Sequence, residues 1–261
     1  MNRNIITFDI GTTRLKTVYK IDGEVHKETY SNHNPNTIIK KLCSKHPFDC
    51  IAITGSGARR IRESKDYIYL NELECTAYMV QHMNLQEAIV VNVGTGTSFI
   101  QYKNGAYQHI TGTGIGGGTF TGLGKRLLGI SEPADIEALA LQGDLKRVNI
   151  LIEDIYQDGL GWLQKDITVS NFGKETGKSQ DVALGIHSLV TDVIISILAG
   201  IVAGNDVHPI ILSGGVMENQ LMKQMLTRYA DLFHLDCQFF SEPSYGTCYG
   251  ALAILENKKL W

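Results

Sequence analysis

The chain has 261 residues, 43% hydrophobic and 20% charged, with a formal net charge of −3, enough to bury an ordinary core in one large domain or two lobes. That balance offers no basic field for a nucleic-acid backbone, so an anionic ligand has to be held by local donors. Cys43, Cys50, Cys75, Cys237 and Cys248 form no C-x-x-C pair, which argues against a disulfide framework or a zinc site and fits reduced thiols in a cytoplasmic setting. Met1-Asn2-Arg3-Asn4 leads directly into a strand-like run, and no apolar stretch is expected to approach the ~20 residues that span a bilayer, so no membrane partner is expected.

Along the chain, Ile5 to Ile10, Leu15 to Ile21 and Glu24 to Tyr30 read as three strands, the last two joined by Asp22-Gly23, a tight-hairpin dipeptide. A helix from Asn36 to Lys45 follows, with Ile38, Ile39 and Leu42 on one face, and then a strand from Asp49 to Thr54 that ends at Gly55-Ser56-Gly57. The extended run Tyr67 to Leu70 leads into a helix opened by Asn71. Ala88 to Val93, Thr97 to Lys103 and Gly105 to Thr111 repeat the triple-strand pattern with Asn104-Gly105 as the hairpin signal. This β-β-β-α-β duplication divides the chain into lobes of residues 1–85 and 86–261. Helices are expected from about Thr119, over Pro133 to Leu141, over Leu145 to Tyr156 and over Asp181 to Ala203. The last is apolar around most of its circumference, which puts it either in the core or against a second copy in a homodimer. Residues 157–178 show no periodicity and read as a functional or moving loop.

Three glycine-rich loops stand at strand ends: Asp9-Ile10-Gly11-Thr12-Thr13-Arg14-Leu15-Lys16, Asn92-Val93-Gly94-Thr95-Gly96-Thr97-Ser98 and Ser213-Gly214-Gly215. Glycines there let backbone N–H groups approach an anion, and hydroxyls add donors. Three such loops point to one nucleotide held between two halves. Asp9 suits Mg²⁺, which keeps much of its water and takes few carboxylates, and Lys16 can reach a phosphate; the alternative is a plain Asx turn at Asp9 and a solvated Lys16. Eight glycines lie between Gly112 and Gly129, more than close packing asks for, so Gly114, Gly116, Gly117 and Gly118 are expected to face the polyphosphate. Of Glu72 and Glu74, two apart on a helix, only one can face a cleft as a base, and either could simply favour the helix dipole.

Glu72-Leu73-Glu74-Cys75, the segment from Asn92 to Ser98, Thr111 to Phe120, Ala140-Leu141-Gln142-Gly143-Asp144 and Ser170-Asn171-Phe172-Gly173 together resemble type II (eukaryotic-like) pantothenate kinases, in order and over nearly the whole chain. The resemblance implies an α/β fold of two ribonuclease-H-like, actin-like ATPase lobes with mixed sheets and a nucleotide cleft between them. It implies phosphorylation of pantothenate by ATP with Mg²⁺, coenzyme A or an acyl-CoA as regulator, and a homodimer. By the same motifs Glu72 matches the catalytic glutamate, Thr95 and Ser98 substrate-side hydroxyls, and the Gly114 to Gly118 loop part of the nucleotide cradle; the glycine loops add Gly11, Thr12, Thr13, Lys16, Gly94, Thr95, Gly96, Gly214 and Gly215 to the expected nucleotide contacts. Two positions depart. Gly11-Thr12-Thr13 stands where the family has Gly-Gly-Thr, and His109 stands where it carries an arginine for the pantothenate carboxylate. A neutral imidazole lacks the two-pronged contact of a guanidinium, which leaves the acceptor open among pantothenate, pantetheine and other small alcohols. Ser213 to Asn219 and Tyr249 to Leu252 also resemble activators of 2-hydroxyacyl-CoA dehydratases, ATPases that need a cysteine-held iron–sulfur cluster; an ATPase of that kind and a non-catalytic nucleotide or acyl-CoA sensor are the alternative functions.

Overall fold

The computed structural model describes residues 3–62, 64–156, 161 and 163–257. Strands β1 (Ile5–Ile10), β2 (Arg14–Ile21) and β3 (Glu24–Ser31), helix α1 (Pro35–Lys45), and strands β4 (Cys50–Thr54) and β5 (Tyr67–Tyr69) build one sheet in the order β3-β2-β1-β4-β5. Strands β6 (Glu87–Val93), β7 (Thr97–Lys103) and β8 (Ala106–Thr113), joined much later by β11 (Ile210–Ser213) and β12 (Cys237–Phe239), build a second in the order β12-β11-β6-β7-β8. In both, three antiparallel strands are extended by two parallel ones, so the duplication legible in the sequence is the architecture. The hairpin signals act through backbone sign: Asp22, Gly23, Asn104 and Gly105 all have positive φ, as a turn matching the strand twist requires.

Helix α2 (Glu72–Tyr78) follows β5 and helix α8 (Gly246–Asn257) follows β12, and the two pack on each other between the sheets. One apolar cluster joins Ile5, Val18 and Ala52 of the first sheet to Val90, Ile100 and Ile211 of the second through Cys75, Met79, Cys248 and Leu252. The helix pair meets at Gly250, where a Cβ would overlap the Cys75 carbonyl oxygen; only glycine allows that separation. The C-terminal helix thus returns to pack on β1, β2 and β4.

On the outer side of the second sheet lie α3 (Gly117–Leu123), continued by a π-helical turn over Gly124–Leu128, then α4 (Pro133–Ala140), α6 (Ser179–Val202) and α7 (Gln220–Leu232). The helix expected over Leu145 to Tyr156 does not form. A 3₁₀ turn at Leu145–Arg147 leads into β9 (Ile150–Leu151) and the single turn α5 (Ile152–Ile155), with β9 paired to β10 (Thr168–Ser170). The apolar spacing was misleading because Asn149 sits fully buried at its centre. Its Nδ2 donates toward Thr168 Oγ1, Asn171 Oδ1 and Ser188 Oγ at 3.1–3.2 Å, and its Oδ1 accepts from the Phe172 amide at 3.0 Å. An Asn that donates toward the 168–171 segment and α6 and accepts from the Phe172 amide outcompetes helix formation. The expected loop over 157–178 therefore contains β10, and residues 157–160 and 162 of it lie outside the described residues.

The 24-residue α6 corrects a second expectation, because it is long and apolar enough to cross a membrane. Its apolarity serves the core instead: 56% of its most apolar window is buried inside the protein, against α3, α4 and α7, and its polar positions are tied down, with Asp181 accepting from the Asp144 and Lys178 amides. Ser196, Gly200 and Ala203 face outward.

Two glycine replacements separate these roles in urea unfolding. Gly250→Ala is expected to cost about 3 kcal/mol or more through overpacking. Gly200→Ala, where no atom approaches within 4 Å, is expected to gain about 1 kcal/mol from helix propensity; equal effects would contradict the packing described.

Candidate active site between the two sheets

Asp9 stands next to last in the central strand β1 and pairs across the ladder with Lys16 of β2. Directly opposed residues project to the same face, and Lys16 Nζ lies 3.7 Å from Asp9 Oδ2. Asp9 is buried, 8% exposed. Burial pushes its carboxyl above the ordinary range, and the Lys16 charge only partly opposes that, so the pair is an under-compensated acid rather than a tight ion pair. Gly55, at the end of the neighbouring β4, is the unassigned member of this corner: a Cβ there would come within 2.5 Å of Asp9 Oδ1.

Glu72 opens α2, and Asn71 caps that helix by accepting from the Leu73 and Glu74 amides at 2.8 and 3.2 Å. Glu72 is half-buried. Its carboxyl is raised first by burial, then by the negative charge of Asp9, with Lys16 opposing. Asp9, Lys16 and Glu72 therefore share one electrostatic environment although 63 residues of chain separate the two acids.

The first glycine loop is held from behind. The Gly11 carbonyl accepts from Arg60 Nη2 at 3.1 Å and from Asn32 Nδ2, while the Gly11 amide donates to Arg14 O at 3.0 Å. Thr12, beyond the end of β1, and Thr95, beyond the end of β6, meet with their hydroxyl oxygens 2.9 Å apart, which brings the first and second loops together. Both threonines and Thr13 are exposed. Arg60 and Asn32 were missed by sequence reasoning; the strand-end signal Gly55-Ser56-Gly57 marked their neighbourhood without showing its target.

The second loop packs on the N-terminus of α3. Gly117 and Gly118 donate their amides to the Gly94 and Thr95 carbonyls at 2.8 and 2.9 Å, and Thr97 Oγ1 donates to Ile115 O at 2.8 Å. A Cβ at Gly116 would stand 2.8 Å from the Gly96 backbone. Close backbone packing thus accounts for Gly96, Gly116, Gly117 and Gly118, and two of the amides assigned to a polyphosphate are spent on carbonyls. Gly114, by contrast, is exposed with open space around its α-carbon. Gly214 of the third loop is buried with φ +99°, and a Cβ there would overlap the Val93 backbone, which brings this loop against the second; Gly215 is exposed. Ser98 is half-buried on β7, opposite Asn92 and Gly112. His109 is exposed on the edge strand β8, with its Nε2 beside Gly112.

Two duplicated mixed sheets, with glycine loops brought together between them, form a fold shared with actin-like ATPases and ROK-family proteins. The fold matches the activator of the 2-hydroxyisocaproyl-CoA dehydratase from Clostridium difficile with bound ADPNP, at TM-score 0.65 and 16% identity over 96% of this chain and 93% of that one. It also matches a ROK family glucokinase from Streptomyces griseus in complex with glucose and AMPPNP, at TM-score 0.60 and 12% identity, covering 95% and 97%. The Fumble family model matches residues 61–241, and the chain belongs to that family. A type II pantothenate kinase from Oceanobacillus iheyensis is 28% identical over 260 residues, 95% of this chain and 98% of the relative.

The raised Asp9 carboxyl has a consequence for stability. A group whose folded pKa lies above its unfolded value binds its proton more tightly when folded, so its contribution is present below the unfolded pKa and is lost as pH rises through the folded one. Asp9→Asn is therefore expected to melt above the wild type at pH 7.5, with the difference closing toward pH 4; a variant that melts lower at pH 7.5 would show that the Lys16 pairing outweighs burial.

Proposed function

We propose that this chain is an ATP-dependent kinase that phosphorylates the primary hydroxyl of pantothenate, the first step of coenzyme A synthesis. The observation that carries the reading is the placement of Glu72 in the field of Asp9 and Lys16, in a fold where Thr12 and Thr95 join the first two glycine loops. Family membership and the similarity to a type II pantothenate kinase support the acceptor.

In this reading Glu72 takes the proton of the acceptor hydroxyl, and burial supports that role because a carboxylate of raised pKa is a better base near neutral pH. Lys16, the Thr12 hydroxyl and the amides around Gly114 and Gly215 neutralise charge on the transferring phosphoryl, where positioning and electrostatics supply most of the catalysis. Ser98, Thr95 and His109 line the acceptor side. The Asp9 carboxylate fits Mg²⁺: it is one hard oxygen donor with incomplete compensation, and among the described residues no group of three His, Cys, Asp or Glu forms a protein cage, as suits an ion that keeps its waters. When bound, the ion would shield the phosphate oxygens. The division into lobes of residues 1–85 and 86–261, closure aided by the 157–178 segment, regulation by coenzyme A or an acyl-CoA, a homodimer through the outward face of α6, and a cytoplasmic location belong to the same proposal.

The activator chemistry fits less well. Its cluster needs cysteine ligands, whereas Gly114 to Gly118 and Ser170 to Phe172 contain none and Cys50, Cys75 and Cys248 are buried as free thiols in the apolar core.

Glu72→Gln is expected to lower pantothenate-dependent ADP release by ~10² to 10⁴ while ATP binding persists; near-normal turnover would remove Glu72 from the chemistry. For the wild type, kcat/KM is expected to fall on acidification along a limb above 4.5, the ordinary glutamate value. Lys16→Met, which deletes the cation holding that carboxyl down, is expected to move the limb to higher pH. A limb that stays in place would separate Lys16 from Glu72.

A further inference from the structure

We infer that His187, a neutral imidazole protonated on Nδ1, fixes the spacing between the second and third glycine loops and is a positioning residue for nucleotide binding. The inference rests on the functional reading above. His187 lies mid-way along α6 with no exposed surface, where both ring nitrogens need partners.

The direction of each hydrogen bond follows from its neighbour. Nδ1 is 2.8 Å from the Ala183 carbonyl oxygen one turn earlier; a carbonyl only accepts, so Nδ1 carries the hydrogen. Nε2 is 3.3 Å from Asn219 Nδ2. The orientation of Asn219 is set independently, because its Oδ1 caps α7 by accepting from the Met222 amide at 2.7 Å. Its amide hydrogens must therefore face the ring, and Nε2 must be a bare acceptor. The two deductions give the same tautomer.

The ring touches the stems of both loops. Phe120 of α3, three residues beyond Gly117, sets its ring at 82° to the imidazole with centroids 4.7 Å apart. Asn219 closes the tight turn of the third loop, its amide donating to Val216 O at 3.1 Å, and the Val216 side chain presses on Gly117, 3.1 Å from where a Cβ would stand. Below that contact, His187 is the piece that ties α3 to the start of α7. Glu137 of α4 is the charged group acting on the ring, and it serves the same helix end by accepting from the Leu221 amide at 2.8 Å. Burial holds His187 below its ordinary pKa, opposed by the Ala183 bond and the Glu137 charge. A proton on Nε2 would set two donors against each other at Asn219.

Isosteric replacements in the full-length protein separate positioning from mere space filling. In His187→Gln the amide oxygen can stand at the Nε2 place and accept from Asn219, whereas His187→Asn can keep only the Ala183 bond. Calorimetric titration with Mg-AMPPNP is expected to show the Gln variant within about twofold of wild type and the Asn variant about tenfold weaker, the loss of one buried hydrogen bond, with the KM for ATP rising more than kcat falls. Equal nucleotide affinity in the two variants would overturn the inference. So would ¹⁵N shifts of the wild-type ring that report hydrogen on Nε2, a measurement that stands even if a variant fails to fold. A wild-type protein that takes up no Mg-AMPPNP would instead overturn the functional reading, leaving the tautomer measurement to test the hydrogen-bond chain.

Discussion

The contact between α2 and α8, closed at Gly250 against the Cys75 carbonyl, determines how near the two sheets can approach, because both helices run through the apolar layer between them. Glu72 stands on the first turn of α2, so its height above Asp9 and Lys16 is set by that packing rather than by the loops around it. A side chain at Gly250 would lift α8 away and carry α2 with it. The position of Glu72 is thus rooted in a backbone contact at Cys75, on the same short helix, and rigid helices hold a side chain more precisely than loops do.

Around this fixed point the glycine loops divide into structural and outward parts. The amides of Gly117 and Gly118 are consumed by the second loop's own carbonyls, and Gly214 is buried against Val93. These contacts lock the second and third loops into one body, which Phe120, Asn219 and His187 brace from beneath. What remains to meet an anion is the outer rim: Thr12 and Thr95 at the seam, with Gly114 and Gly215 open. Much of the glycine content therefore builds the wall of the cleft, and a smaller part of it faces the space where a phosphate would lie.

The fold was legible because its signals were local. Asp22-Gly23 and Asn104-Gly105 fix two hairpins through their own backbone preferences, and the repetition of three antiparallel strands needed no tertiary information. The failures share a different cause. Asn149 reads as one polar residue in a helical pattern, yet its partners Thr168, Asn171 and Ser188 are 19 to 39 residues away, beyond the reach of periodicity. The apolar length of α6 was underestimated because its few polar residues interrupt the sequence but are satisfied inside the fold. Asp9, Lys16 and Glu72, which the structure brings into one electrostatic neighbourhood, were singled out from strand-end and helix-start positions and the family motif, while Gly55 and Arg60 acquire meaning only once β4 lies beside β1.

The central claim is that a phosphoryl group held between the lobes is passed to an alcohol activated by Glu72. Its most direct test is the fate of the label in a single turnover of wild-type enzyme with γ-³²P ATP, Mg²⁺ and pantothenate. The account requires the label to appear in a phosphate ester of pantothenate, with little inorganic phosphate. Recovery of the label as inorganic phosphate alone, at a rate indifferent to pantothenate, would contradict it.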